Sequence, residues 1–125
     1  MTDLYIQQIA SQNAQWLTQR EALIASNVAN ANTPGYRARD VQPFASVLDH
    51  TEIAMATTNP AHMLALAQDR GAAREVETPP SDETLSGNTV NLEQQMMNLG
   101  DINRAYTMNT NIKRAFHQML LAALK

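Results

Sequence analysis

The two ends of this 125-residue chain carry the apolar repeat of long helices, and no other feature constrains the fold as strongly. Two registers recur every seven residues in the first segment: Ile9, Trp16 and Leu23, and beside them Ala10, Leu17, Ile24 and Ala31. The last segment holds Leu92, Leu99, Tyr106 and Leu120 in one register, with Ile102 and Phe116 in the companion position. Sevenfold spacing keeps one stripe facing a partner helix. We predict a mainly α fold in which the two helices pack as a coiled-coil-like hairpin.

The boundaries of the segments follow from helix-stop and helix-start signals. The N-terminal segment, residues 1–32, is predicted to be helical from about Asp3 to Ala31. The stretch Asn32-Thr33-Pro34-Gly35 ends this helix, because Pro34 and Gly35 suit the two central positions of a type II turn. Residues 33–50 are predicted to be this turn, an extended stretch and a short helix. The second long helix occupies residues 91–125, with Asn91 as its N-cap.

The middle segment, residues 51–90, has little periodicity. It contains three of the five prolines and a polar run from Glu75 to Ser86. A brief helix over residues 61–68 and a short β-hairpin are the regular elements it could hold, and the rest reads as loop.

Composition argues against several classes of function. The chain has no cysteine, a net charge of −3 and no apolar run of the roughly 18 residues that would span a bilayer. The opening residues lack the cationic region of a secretory signal, so we expect no cleavable signal peptide. His50, His62 and His117 lack metal-site spacing, and no nucleophile elbow or phosphate loop is present. We expect no enzyme, metal, cofactor, nucleic-acid partner or membrane insertion.

Side-chain amides are unusually abundant. Eleven Asn and ten Gln equal the 21 charged residues in number. An amide can donate and accept, so it can be satisfied between packed helices without the desolvation cost of a charge. A solvated face that uses amides in place of charges explains the count equally well.

The predicted helices are too long for a compact domain of this size. They would span about 43 Å and about 51 Å, whereas a compact chain of this length has a radius of gyration of about 14 Å. Two helices cannot cover apolar positions spread over more than one face, so the surplus should contact other copies or other proteins. For Trp16 this predicts a largely exposed ring in the unassembled chain and a buried ring in a polymer.

Sequence motifs identify a family that fits this picture. The stretch from Ser26 to Tyr36 (SNVANANTPGY) resembles the N-terminal signature of the bacterial flagellar axial proteins, and its continuation through Phe44 is similar to the proximal members of the basal-body rod family. Residues 59–63 (NPAHM) and 85–93 (LSGNTVNLE) resemble that family's middle element and the start of its C-terminal helix. About 40 residues between the helices leave no room for the β domains that longer relatives insert.

The resemblance implies a structural subunit, with residues 1–125 as one rod-subunit domain that polymerises helically into the periplasmic drive shaft and export channel. Implied partners are the chain itself, other rod proteins, and export-gate or ring-adjacent components, and it leaves contact with peptidoglycan open. Export by the flagellar type III apparatus would need no cleavable signal. The turn from Asn30 to Tyr36 would set the angle at which the extended segment leaves for a neighbouring subunit.

The residues expected to form the assembly interface belong to both helices and to this turn. They are Ile9, Trp16, Leu23, Ile24, Asn30, Asn32, Thr33, Pro34, Gly35, Tyr36, Leu92, Leu99, Ile102, Tyr106, Phe116 and Leu120. The alternative function is a small helical adaptor or secretion chaperone that acts as a discrete oligomer.

Overall fold

The computed structural model describes residues 2–49, 73–80 and 83–124. Five elements follow one another in these parts: α1 (Thr2–Ala29), β1 (Arg39–Val41), α2 (Phe44–Asp49), β2 (Glu75–Glu77) and α3 (Leu92–Ala123). The two long helices confirm the predicted mainly α hairpin, and α2 confirms the short helix after Pro43. The helix predicted over residues 61–68 lies outside the described residues.

Helices α1 and α3 pack antiparallel along their length. Leu17 and Ile24 of α1 form one apolar cluster with Ile102 of α3, and all three are buried. Nearer the free ends of the hairpin, Asn109 Nδ2 donates to the Ala10 carbonyl oxygen at 2.9 Å. The register that faces α3 is therefore the one containing Ala10, Leu17 and Ile24.

The inward face of α3 differs from the predicted seam. Its buried residues are Gln95, Ile102 and Asn109, which are seven residues apart. Leu92 and Tyr106, predicted to share the seam, are 50% and 46% exposed. Ile102 was assigned only to the companion position. Its neighbours in the same register, Gln95 and Asn109, are polar, so apolar spacing does not reveal this face. The more apolar register of Leu92, Leu99 and Tyr106 lies beside the contact with α1.

A second core lies on another face of α1. Strands β1 and β2 pair antiparallel, with Asp40 opposite Val76, and helix α2 packs beside them. The cluster consists of Leu23, Val41, Val47 and Ala73, with Trp16 and Phe44 packed against it. The middle segment was expected to be loop, with a short β-hairpin as one regular element that it could hold. The first three residues of its polar run, from Glu75, form β2, because β1 supplies their hydrogen-bond partners.

The ends of α3 follow from local chemistry. The Asn91 side chain accepts from the backbone N–H of Gln94 at 3.1 Å, which confirms the predicted N-cap. Glu93 lies in the first turn, where the helix dipole favours a negative charge. The helix continues through Gly100 without interruption. None of the helices in the described parts has the length and apolar content needed to cross a membrane.

Candidate assembly site

The turn after α1 has the geometry that its sequence predicts. Gly35 has a φ of 71°, and the backbone N–H of Tyr36 donates to the Thr33 carbonyl oxygen at 3.3 Å. This places Pro34 and Gly35 at the central positions of a type II turn, the second of which needs a positive φ. The predicted turn is confirmed.

Asn88 joins this turn to the segment before α3. Its side chain is 2% exposed, and its Nδ2 donates to the carbonyl oxygens of Asn30 at 2.9 Å and Thr33 at 2.7 Å. Its Oδ1 accepts from the backbone N–H of Val90 at 2.8 Å. One buried amide therefore satisfies the backbone that follows α1 and the backbone that precedes α3.

Backbone bonds complete the same junction. The Gly35 N–H donates to the Ser86 carbonyl oxygen at 2.9 Å, and the Thr89 N–H donates to the Tyr36 carbonyl oxygen at 3.1 Å. Gly87 lies beside Gly35 and, like it, has a positive φ, of 78°, which favours glycine at this position. We call this junction of residues 26–38 with residues 84–90 the clasp.

Two amides of α1 hold the extended backbone against the helix. Asn27 Nδ2 donates to the Arg39 carbonyl oxygen at 2.7 Å, and Asn27 Oδ1 accepts from the Arg39 N–H at 3.1 Å. Gln19 makes the same pair of bonds with the backbone of Ala73, at 2.7 and 3.1 Å. Asn27 Nδ2 also reaches Gln95 Oε1 of α3 at 3.1 Å. The extended segment thus packs on the helix of its own chain, and its contact with a neighbouring subunit stays a prediction.

Trp16 packs against the second core, which β1 and α2 form beside α1. Its Nε1 donates to the Gln42 carbonyl oxygen at 2.8 Å, and its ring lies 6.0 Å from that of Phe44. The Arg20 guanidinium lies 5.5 Å from the indole centroid and pairs with both carboxylate oxygens of Asp40 at 2.9 Å. The expectation of a largely exposed ring in a single chain is wrong, because the ring is partly buried against both apolar clusters of the chain.

The charged groups of the site link neighbouring secondary-structure elements to one another. The pKa of Arg39 is raised, first by a side-chain hydrogen bond with Tyr36 and then by electrostatic interaction with Tyr36 and Glu75, so its guanidinium stays charged. Its Nη1 lies 3.0 Å from Glu75 Oε2, an exposed pair that joins β1 to β2. Within residues 2–49, 73–80 and 83–124, no group of His, Asp or Glu side chains is arranged to hold a metal ion.

The predicted interface residues fall into three groups in the single chain. Leu23, Ile24 and Ile102 are buried; Ile9, Trp16, Asn30, Tyr36, Leu99, Phe116 and Leu120 are partly buried; Asn32, Thr33, Pro34, Gly35, Leu92 and Tyr106 are exposed. The structure brings Ile24 and Ile102 together in one cluster and places Leu23 in the other. Thr33 and Gly35 contribute backbone to the clasp.

Much apolar surface of α3 remains exposed. The large apolar side chains exposed on this helix are Leu92, Met96, Met97, Tyr106, Met108, Ile112, Met119 and Leu121. Part of this surface forms a shallow groove whose lining includes Met108, Ile112 and Ala115. No element in the described parts of the chain fills the groove. A contiguous exposed apolar surface on a helix marks a site of contact with another molecule.

Sequence reasoning missed the amides that organise the site. Asn27, Asn88, Gln95 and Asn109 are all buried, and every buried side-chain nitrogen or oxygen atom in the described residues has a hydrogen-bond partner. The high amide count was the available signal, although it names no position. Many other amides are exposed, so both interpretations of that count hold, each for a different subset.

Replacing Gly35 with valine tests the turn. No heavy atom outside the turn lies within 4 Å of a Cβ at this position, so the cost comes from the positive φ alone. We expect Gly35→Val to lower the free energy of unfolding by about 2 kcal/mol and Gly35→Ala by about 1 kcal/mol, measured by urea unfolding. Equal stability of Gly35→Val and the parent chain would contradict a left-handed residue at this position.

Comparison with known proteins identifies the class. Residues 8–37 match the family model described as flagella basal body rod protein, and residues 82–125 match the model described as flagellar basal body rod FlgEFG protein C-terminal. These two matches contain residues 26–37 and residues 84–90 of the clasp. The class defined by the long-helix hairpin and the clasp is therefore the flagellar basal-body rod proteins.

Curated relatives identify the member of that class. The flagellar basal body rod protein FlgB of Agrobacterium fabrum is 37% identical over 100% of this chain and 96% of its own length. FlgB of Salmonella typhimurium is 32% identical over 75% of the chain and 74% of its own length, and FlgB of Escherichia coli is 35% identical over 73% and 72%. The chain belongs to the FlgB family, and it is a structural subunit of the flagellar basal-body rod.

Proposed function

We propose that the chain polymerises helically with copies of itself and with other rod proteins, and that residues 1–125 act as one rod-subunit domain without enzymatic activity. The observation that supports this is the apolar surface of α3 that remains exposed after one face of this helix has packed on α1. One helix face contacts α1, and the remaining apolar residues need partners outside the chain. A discrete adaptor or chaperone is not favoured, because the relatives are rod proteins.

The position in the cell follows from this assembly. We propose a proximal place in the periplasmic rod, around the export channel, beside export-gate or ring-adjacent components. Export through the flagellar apparatus without a cleavable signal is part of the same proposal. The predicted interface residues divide accordingly: those buried in the single chain shape the hairpin, and Leu92 and Tyr106 are exposed for intermolecular contact.

A pair of variants on α3 tests the proposal in cells that lack the native gene. Ile112 is 46% exposed on the apolar surface, and Thr110 is exposed two residues away. We expect Ile112→Asp to abolish rod assembly in purified basal bodies while changing the unfolding free energy of the monomer by less than about 0.5 kcal/mol. Thr110→Asp, which adds the same charge, should assemble normally. Complete rods with Ile112→Asp would contradict the proposed use of this surface.

A further inference from the structure

A leucine projects from the clasp into solvent. Leu85 is fully exposed, in a turn closed by a bond of 2.8 Å from the Gly87 N–H to the Thr84 carbonyl oxygen. The neighbouring Ser86 carbonyl accepts from the Gly35 N–H, which fixes this turn on the one after α1. Because these bonds fix the backbone of the turn, only the Leu85 side chain would lose conformational freedom on binding, which suits this residue to be an anchor.

The groove on α3 has the geometry that receives such an anchor. Met108, Asn111, Ile112 and Ala115 are spaced i, i+3, i+4 and i+7, and all four are exposed. Four helix residues with this spacing form the hole into which a knob side chain inserts in a coiled coil. Three of the four are apolar, and Asn111 can accept or donate at the rim.

We propose that Leu85 of one copy inserts into this hole on α3 of the next copy. The inference rests on the proposed self-assembly and assigns its contact. Within one chain the two features cannot meet, because Met108 lies about 24 Å along α3 from Leu92, beside which the clasp lies. A projecting residue that fits a groove elsewhere on the same molecule produces a head-to-tail contact, and such contacts propagate into an open polymer unless the rotation closes a ring.

Charge complementarity supports the same pairing. Glu83 is exposed two residues before Leu85, and Arg104 lines the groove. Arg104 pairs with Asp101 of its own helix at 2.7 Å, but both side chains are mostly exposed, with 81% and 60% of their surface accessible. An exposed pair of this kind contributes little. The Arg104 guanidinium is therefore available to a carboxylate that approaches with Leu85 of the next copy.

The absence of cysteine makes the contact directly testable. We would combine Leu85→Cys with Asn111→Cys in one chain, and Leu85→Cys with Thr110→Cys as the matched control, since Thr110 lies on a different side of α3. Each sample is allowed to assemble, oxidised mildly and separated without reductant, while sedimentation of an unoxidised aliquot reports its oligomers. The pairs cannot close within a chain, because a disulfide needs Cα atoms within about 7 Å.

A ladder of dimers, trimers and longer species with the Asn111 pair, and at least tenfold less with the Thr110 pair, would support the contact. Oligomers in sedimentation without a ladder, or equal ladders from both pairs, would overturn this contact and leave self-assembly standing. The parent chain, which keeps Leu85, is sedimented under the same conditions, and an exclusively monomeric parent chain at every concentration would overturn both the contact and the proposed self-assembly.

Discussion

Replacing the side-chain NH2 group of Asn88 with an oxygen atom should unfold the clasp. Asn88→Asp keeps the shape of the side chain but replaces the donor that lies 2.9 Å from the Asn30 carbonyl oxygen and 2.7 Å from that of Thr33. A carboxylate there would face two carbonyl oxygens in a site that is 2% exposed. Two hydrogen bonds are lost, and the buried charge keeps only the backbone N–H of Val90 as a hydrogen-bond donor. We expect a loss of about 3–5 kcal/mol in unfolding free energy at pH 7, measured by urea unfolding.

The pH dependence separates this cause from a general defect. Burial beside carbonyl oxygens raises the pKa of the introduced carboxyl group in the folded state. The folded chain then holds the proton more tightly than the unfolded chain, so stability relative to the parent falls as pH rises above the unfolded value of about 3.9. The deficit should therefore shrink near pH 3. Asn103→Asp, on the exposed surface of α3, makes the same charge change and should leave stability within about 0.5 kcal/mol of the parent. Similar losses from both variants would contradict a specific role for Asn88.

The regular elements were predictable because their signals are local. Sevenfold apolar spacing predicts α1 and α3, Asn91 predicts the start of α3, and Pro34-Gly35 predicts a positive φ. Each of these depends on residues within one or two turns of one another. The motif around the first turn and the motif before α3 were recognised separately for the same reason.

The contact between these motifs was not predictable from the sequence. It depends on side-chain amides that bind backbone more than 50 residues away, as Asn88 does, and such bonds follow no periodicity. A short β-hairpin was an open expectation for the middle segment, but the position of β2 and its pairing with β1 were not predicted, because two of its three residues are glutamates, which are depleted in strands. The α3 seam was misplaced because hydrophobicity alone ranks Leu92 above Gln95, although Gln95 is the residue that bonds with Asn27.

These differences change what the monomer is expected to be. Much of each helix was predicted to lack a partner before assembly, yet the part of α1 from Trp16 to Asn27 contacts β1, α2 and α3 of its own chain. The apolar residues left exposed lie mainly on α3. The hairpin thus has a clasp end that is completed within the chain and an α3 surface that is left for other molecules.

A substitution of Trp16 tests whether the second core, around Leu23, Val41, Val47 and Ala73, forms before assembly. Its ring packs on Phe44, donates to the Gln42 carbonyl oxygen and lies under Arg20, all within one chain. Truncation removes these three interactions together, so we expect Trp16→Ala to lower the unfolding free energy of the dilute monomer by about 3 kcal/mol. Tyr106→Ala removes an exposed aromatic ring of α3 and should change it by less than about 0.5 kcal/mol.

The single tryptophan also reports this core without a label. In dilute monomer the parent chain should show blue-shifted emission and restricted quenching by acrylamide, and assembly should change either property only slightly, since the ring is already covered by α2 and β1. Addition of urea should shift the emission to the red in the same transition that circular dichroism records, because the ring leaves Phe44 as the fold is lost. Emission typical of free tryptophan in the monomer, together with an unchanged midpoint for Trp16→Ala, would mean that neighbouring subunits and not the chain itself complete this core.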